Sequence, residues 1–203
     1  MMAVTKPIVD PADFNGNLAL PYDLRITDFS GAMQDVYDFF YDVNKLLVGR
    51  GLARFDDMLR PAQMSGLISD MLTESIAKHS RTLTVNKFHN GHPDLIVQGV
   101  YPNNAVQSGE KGVEIKSTGN AGGGVDMHGV RAQWLCVFVR QVDRETEPAN
   151  ERRPMIFTEA YLAYCLSKHF RKNDRGERGT RTASLNRAGL MVMRAGWLYK
   201  LNK

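Results

Sequence analysis

Two stretches decide the fold: Pro93-Asp94-Leu95-Ile96-Val97-Gln98-Gly99-Val100-Tyr101 and Gly112-Val113-Glu114-Ile115-Lys116-Ser117. Each is short and rich in β-branched residues. Turn-formers bound them, Asn90-Gly91 before the first and Pro102-Asn103-Asn104 after it. This predicts two strands joined by a short turn and lying side by side as a hairpin. Side chains alternate across a strand, so Glu114 and Lys116 share one face and Ile115 turns into the other. Asp94, on the neighbouring strand, reaches the Glu114 face. Two carboxylates and an ammonium thus converge on an apolar hairpin, where any of them buried unpaired is costly. Holding a hard divalent cation is a common use of such a set.

Working outward, Leu83, Val85 and Lys87 alternate with polar residues and predict a strand before the hairpin. Upstream of it the apolar period becomes helical. Val36, Phe39, Phe40, Val43, Leu46 and Leu47 predict a helix from Ala32 that stops at Gly49 and Gly51. Met64, Leu67, Ile68, Met71, Leu72 and Ile76 predict a second, from Pro61 to about His79. Residues 1–30, with Pro7, Pro11 and Pro21, read as an extended arm. Downstream, Gln133 to Val142 is a nearly continuous apolar run and predicts the longest, central strand. Thr158 reads as the cap of a helix from Glu159 to about Phe170. A loop over Arg171–Thr182, a short helix or turn around Ser184–Arg194 and a strand near Trp197–Leu201 complete the chain. The order predicts a single α/β domain over 1–203, a mixed β-sheet flanked by α-helices: the arm, a helix-and-sheet core over 31–142, and a helical, basic part over 143–203.

The 203 residues carry a net charge of +4 that is unevenly spread. From Lys168 to Lys203 there are ten basic and two acidic residues, so that segment is +8 and the rest of the chain −4. A cationic surface beside an acidic remainder suits a polyanion. The longest apolar run, Trp134–Val139, is too short to cross a bilayer, and no signal peptide is visible. Cys136 and Cys165 sit in apolar runs and read as small buried hydrophobes. A soluble protein of the prokaryotic cytoplasm is expected, with no membrane partner.

Phosphodiester hydrolysis needs an activated water and charge stabilisation on a pentacovalent phosphorane, which a carboxylate-held Mg²⁺ and a nearby lysine can supply. The Pro93-Asp94 … Glu114-Ile115-Lys116 pattern resembles that of the PD-(D/E)xK nuclease superfamily, which includes many type II restriction endonucleases. The resemblance covers about Ser65 to Val142 and implies a restriction-endonuclease-like core. It implies Asp94 and Glu114 as metal ligands, the Ile115 carbonyl as a further ligand, and Lys116 as the catalytic lysine. Family members often add an acidic residue from the preceding helix; Glu74 leads and Asp70 is the alternative. Mg²⁺ is the implied cofactor, with Mn²⁺ as a substitute. The implied partner is double-stranded DNA, cut by a homodimer whose two-fold axis matches a palindromic site. A cognate DNA methyltransferase encoded nearby would fit that use.

Other constellations are weaker. His89 and His92 lack the further ligands zinc needs, so His92 reads as lying at the cleft mouth or finishing a turn. The run Gly119–Gly124 lacks the spacing of a nucleotide-binding loop. It leads instead into Asp126, His128, Arg131 and Gln133, residue types suited to reading base edges. The tail from Arg171 to Arg187, with Arg175, Arg178 and Arg181 set among small polar residues, suits DNA phosphates. Two rivals share these features. One is a repair or recombination nuclease of the same superfamily; the other is a non-enzymatic DNA-binding protein.

Overall fold

The computed structural model describes residues 4–127, 129–173 and 182–202. In chain order the elements are α1 (Ile26–Gly49), α2 (Phe55–Met58), α3 (Pro61–His79), β1 (Leu83–Val85), β2 (Leu95–Val97), β3 (Gly112–Thr118) and β4 (Asp126–Met127). They continue with β5 (Gln133–Gln141), β6 (Ile156–Cys165), β7 (Phe170–Asn173), β8 (Thr182–Leu185), α4 (Arg187–Ala195) and β9 (Trp197–Lys200). The arm gives way to helix earlier than the apolar period suggests. Asp28 accepts the Arg25 backbone N–H at 2.9 Å, which satisfies a donor at the start of α1 and lets it begin at Ile26 rather than Ala32. The remaining arm packs on the core through Val9, Phe14 and Leu24. In α3, Pro61 occupies the first turn, where its missing N–H costs nothing, and Met64, Ile68, Leu72 and Ile76 are buried at every fourth position.

The main sheet has six strands in the order β1-β2-β3-β5-β6-β9. Only β3 and β5 run parallel; all other neighbours are antiparallel. One face carries Val113, Ile115, Cys136, Phe138 and Phe157 and packs against α1 and α3. The other carries Leu135, Val137, Val139, Tyr161 and Ala163 and is covered by α4 and a small sheet of order β4-β8-β7. The molecule is therefore a mixed α/β protein with its central sheet covered on both faces. No helix among the described residues is long and apolar enough to cross a membrane. Both cysteines are buried and free, as their apolar neighbours imply.

Several expectations are corrected. Glu159–Phe170 is not an α-helix: residues 156–165 form β6, paired to β5 on one side and β9 on the other, a 3₁₀ turn covers Ser167–His169, and Phe170 begins β7. At ten residues β6 is also longer than β5, at nine. β2 spans three residues instead of Asp94–Tyr101, and β1 ends at Val85. The link from β2 to β3 is no short turn: it runs over residues 98–111 and contains a 3₁₀ turn at Pro102–Asn104. Part of the expected basic loop is strand, in β7 and β8.

Candidate metal centre and cleft

The pairing of β2 with β3, Leu95 with Val113 and Ile96 with Gly112, brings the residue before β2 alongside the middle of β3. The approach is close enough that a Cβ on Gly112 would lie 2.0 Å from the Leu95 carbonyl oxygen, so only glycine fits there. Asp94 consequently reaches across, and its Oδ2 accepts the Ile115 N–H at 2.8 Å. Alternation does the rest. The Ile115 side chain is fully buried against the helices, while Glu114 and Lys116 project from the opposite face. The Lys116 ammonium lies 2.6 Å from Glu114 Oε1, 3.4 Å from Asp94 Oδ2 and 3.1 Å from the Ile115 carbonyl oxygen. The three motif residues, and the carbonyl the resemblance adds to them, therefore face one small volume.

A fourth side chain joins them. His92 Nδ1 lies 3.3 Å from Glu114 Oε2, and one ligand atom from each of His92, Asp94 and Glu114 falls within 4.8 Å of the others. The His92 backbone is fixed to the long β2–β3 connection, donating to Gln107 O (3.1 Å) and accepting from Gly109 N (2.7 Å). Asn86 ties down the same region. Its Nδ2 donates to Pro93 O and Val106 O, at 3.0 and 2.8 Å, and its Oδ1 accepts from Phe88 N and Val106 N.

The electrostatics of the cluster are coupled. Burial, then the neighbouring Glu114 charge, raises the Asp94 pKa above the usual carboxylate range. Burial pushes Glu114 the same way, but the His92 hydrogen bond and the Lys116 charge outweigh it and bring the pKa down to about 2. Burial would lower Lys116, yet Glu114 and Asp94 raise it, so the ammonium is held charged. Two carboxylates and an imidazole suit a divalent cation, and the oxygens that now surround Lys116 are of the hard type Mg²⁺ or Mn²⁺ takes.

The cluster opens on a cleft of about 910 Å³, with Lys116, Ser117 and Thr118 on its floor. Ser65, Ser69 and Asp70 of α3 line one wall, and Asp126, Arg171 and Asn173 of the small sheet line the other. A smaller cavity of about 280 Å³ adjoins Asp94 and is lined by Asp70, Glu74 and Asn86. Asp70 and Glu74 are both exposed, and only Asp70 borders both spaces. Beyond Thr118 the glycine-rich run is held in place. Thr118 Oγ1 bonds Asn120 N and Gly124 O, and Glu159 accepts the Gly122 N–H at 2.7 Å. Gly122 and Gly123 have φ of +80° and +77°, the left-handed region that favours glycine.

The expected base-reading residues do not gather in one place. Asp126 is exposed on the cleft wall, where Asn173 donates to it at 3.2 Å. Arg131 is half-buried, and neither it nor Gln133 lines the cleft. Gln133 is 6% exposed, with Nε2 unbonded among the described residues. His128, Arg175, Arg178 and Arg181 lie outside the described residues, the three arginines in the connection between β7 and β8. The sequence reading misses His92 as a member of the cluster and Asn86 as its anchor. For His92 a signal exists, two residues before Asp94; nothing local in the sequence marks Asn86. Arg171, the first arginine of the basic tail, lies on the cleft wall. No family model, curated protein or solved structure matches this chain.

Proposed function

We propose that this protein is a metal-dependent endonuclease of the PD-(D/E)xK type that hydrolyses double-stranded DNA, with restriction as its use. The observation that carries the reading is the placement of Lys116 between Glu114 and Asp94 at the border of a cleft of about 910 Å³. An incidental surface ion pair would not explain a Glu114 that is 1% exposed and paired with both a lysine and a histidine. Asp94, Glu114 and His92 would hold the cation, with the Ile115 carbonyl facing the same space. A bound Mg²⁺ would polarise the phosphoryl oxygen and lower the pKa of its water. Lys116 then sets a positive charge beside the oxygens on which negative charge develops. Asp94 also fixes the strand edge through the Ile115 N–H, so the groups are pre-positioned for the reacting phosphate. Arg171 on the cleft wall supplies a phosphate contact. Cutting both strands of a palindrome calls for two such centres, hence a homodimer.

The test is incubation of plasmid and phage DNA with Mg²⁺. Discrete fragments are expected. A smear, or cleavage confined to branched or mismatched substrates, would move the enzyme to repair. DNA that is shifted on a gel but uncut with every divalent cation would overturn the hydrolase.

A further inference from the structure

A second cationic cavity lies across the glycine-rich run from Lys116. It measures about 470 Å³, and its lining includes Arg140, Arg144, Pro61, Gly119, Ala121 and Thr158. Arg140, on β5, is 5% exposed. Its Nη1 donates to Ser117 Oγ at 3.1 Å, and its Nη2 to Pro61 O at 2.9 Å and Ser65 Oγ at 3.0 Å. All three acceptors are neutral, and no carboxylate among the described residues pairs with it. Nε–H and the remaining Nη1–H meet no acceptor among the described residues. Arg144 reaches the same cavity and, among the described residues, donates only to backbone, to Leu59 O at 2.6 Å and Asp56 O at 3.5 Å.

A guanidinium this deeply buried ordinarily has an anion beside it, because the desolvation of an uncompensated charge is costly. Burial, followed by the nearby Arg144, brings Arg140 down to about 10, which still leaves it cationic at neutral pH. Two cations converge on one open cavity, and the planar fork of Arg140 has donors to spare. A tetrahedral oxyanion meets both requirements, since arginine forks bind phosphate through paired, charge-assisted hydrogen bonds.

We propose that Arg140 and Arg144 form a binding site for a phosphate group, separate from the Asp94–Glu114 centre. Its place in the fold favours a nucleic-acid backbone as the source. Arg140 bonds Ser117, the residue after Lys116, and Ser117 and Lys116 line the same cleft, so the arginine cavity and the Lys116 site meet at the end of β3. A strand whose bond lies over Lys116 would then pass the Gly119–Ala121 run, which borders the arginine cavity, and set another of its phosphates between the two arginines. This source rests on the nuclease reading; the anion site itself does not. Ser117 and Ser65, both bonded to Arg140, also line the large cleft, so an occupied site would brace its floor against the α3 wall beside Lys116.

The first arm of the test titrates the metal-free, full-length protein with inorganic phosphate, read by calorimetry and by arginine side-chain N–H resonances. Saturable binding is expected, at least about tenfold weaker in Arg144→Gln and in Arg140→Lys, and unchanged in Glu114→Gln. Arg144 is exposed, so its variant tests the site without threatening the fold. The second arm measures binding of duplexes in which single phosphates are replaced by neutral methylphosphonates. One position is expected to weaken binding with arginine at 144 and to have no effect in Arg144→Gln. Phosphate binding without any such position overturns the nucleic-acid source and leaves a free-phosphate site. Phosphate binding in a protein that never cuts DNA keeps the site and removes the nuclease reading. Absence of saturable phosphate binding, or binding equally tight in Arg144→Gln, overturns the proposal.

Discussion

The backbone N–H of Ile115 donates to the carboxylate of Asp94 at 2.8 Å, and this bond fastens the two halves of the motif together. One carboxylate thus has two duties in the proposed enzyme: an acceptor for a strand-edge donor, and a charge for the candidate metal centre. The duties separate by mutation. Asp94→Asn keeps an oxygen for the Ile115 N–H and loses the charge. It should remain as stable as the parent to within about 1 kcal/mol, while cleavage falls on the order of 10²–10³-fold or more. Asp94→Ala strands the donor and should cost a further ~1–3 kcal/mol of stability on top of the same loss of activity. Urea denaturation beside a plasmid-cleavage assay reads both; an Asp94→Asn variant that cuts like the parent would remove Asp94 from the site.

His92 gives the candidate metal centre a third potential ligand beside its two carboxylates. It lies 3.3 Å from Glu114 and falls within the same 4.8 Å cluster. His92→Ala should weaken Mn²⁺ binding by about 10–100-fold, the range for losing a ligand or the partner that orients one. Binding of DNA in the absence of metal should persist. Calorimetric titration with Mn²⁺ decides the matter, and an unaltered affinity would return His92 to a turn-forming role.

The acidic contribution from α3 is expected from Asp70 rather than Glu74. Asp70 borders both the cavity at Asp94 and the cleft at Lys116, whereas Glu74 borders only the former. Asp70→Ala should therefore reduce cleavage by about tenfold or more, on the scale of 1.4 kcal/mol per factor of ten, with Glu74→Ala milder. The reverse order would restore Glu74 as the leading candidate.

The parts legible in the sequence are those with a local cause. α3 follows from its apolar period, β5 from a nearly continuous apolar run, and Asp94, Glu114 and Lys116 from residue type and alternation. The region after Thr158 was misread because its strand is buried along most of its length. With β5 on one side and β9 on the other, Ala160, Tyr161, Leu162 and Ala163 are all buried, so no period of two survives. Glu159, which resembles a helix-start residue, instead reaches the Gly122 N–H. His92 escaped for another reason. Its role depends on the fold of residues 98–111, which carry its backbone partners Gln107 and Gly109, and no pattern within five residues of it reveals them.

Away from the site, Asp35 should govern part of the acid sensitivity. It receives hydrogen bonds from Ser75 and Lys78 and lies 3.0 Å from His79 Nε2, joining α1 to the end of α3. Burial works to raise its pKa, but these partners outweigh it and the net shift is downward. A carboxyl depressed on folding contributes stability above its unfolded pKa, and that contribution disappears as pH falls through the folded value. Between about pH 5 and pH 2 the parent should lose stability more steeply than Asp35→Asn, with cleavage at neutral pH unaffected. Parallel pH-dependent melts of the two proteins would show it; identical slopes would exclude Asp35.

Arg171 offers the cleanest test of the cleft as the path of a polyanion. It stands on the wall opposite α3 and borders both the main cleft and an adjoining cavity of about 480 Å³ lined by Arg187 and Arg194. Its only side-chain hydrogen bond among the described residues is to Ser184 Oγ, at 3.3 Å. A side chain placed so should contact one phosphate. Each such contact releases a counterion and adds about 0.9 to the slope of log affinity against log salt. Arg171→Ala should then weaken binding of every duplex by a similar factor and reduce that slope by about 1, without altering which sequences are cut. Filter binding from low to high salt measures the slope directly. A slope unchanged in Arg171→Ala would mean that the nucleic acid approaches Lys116 by another route, and the small sheet would no longer count as a wall of the binding surface.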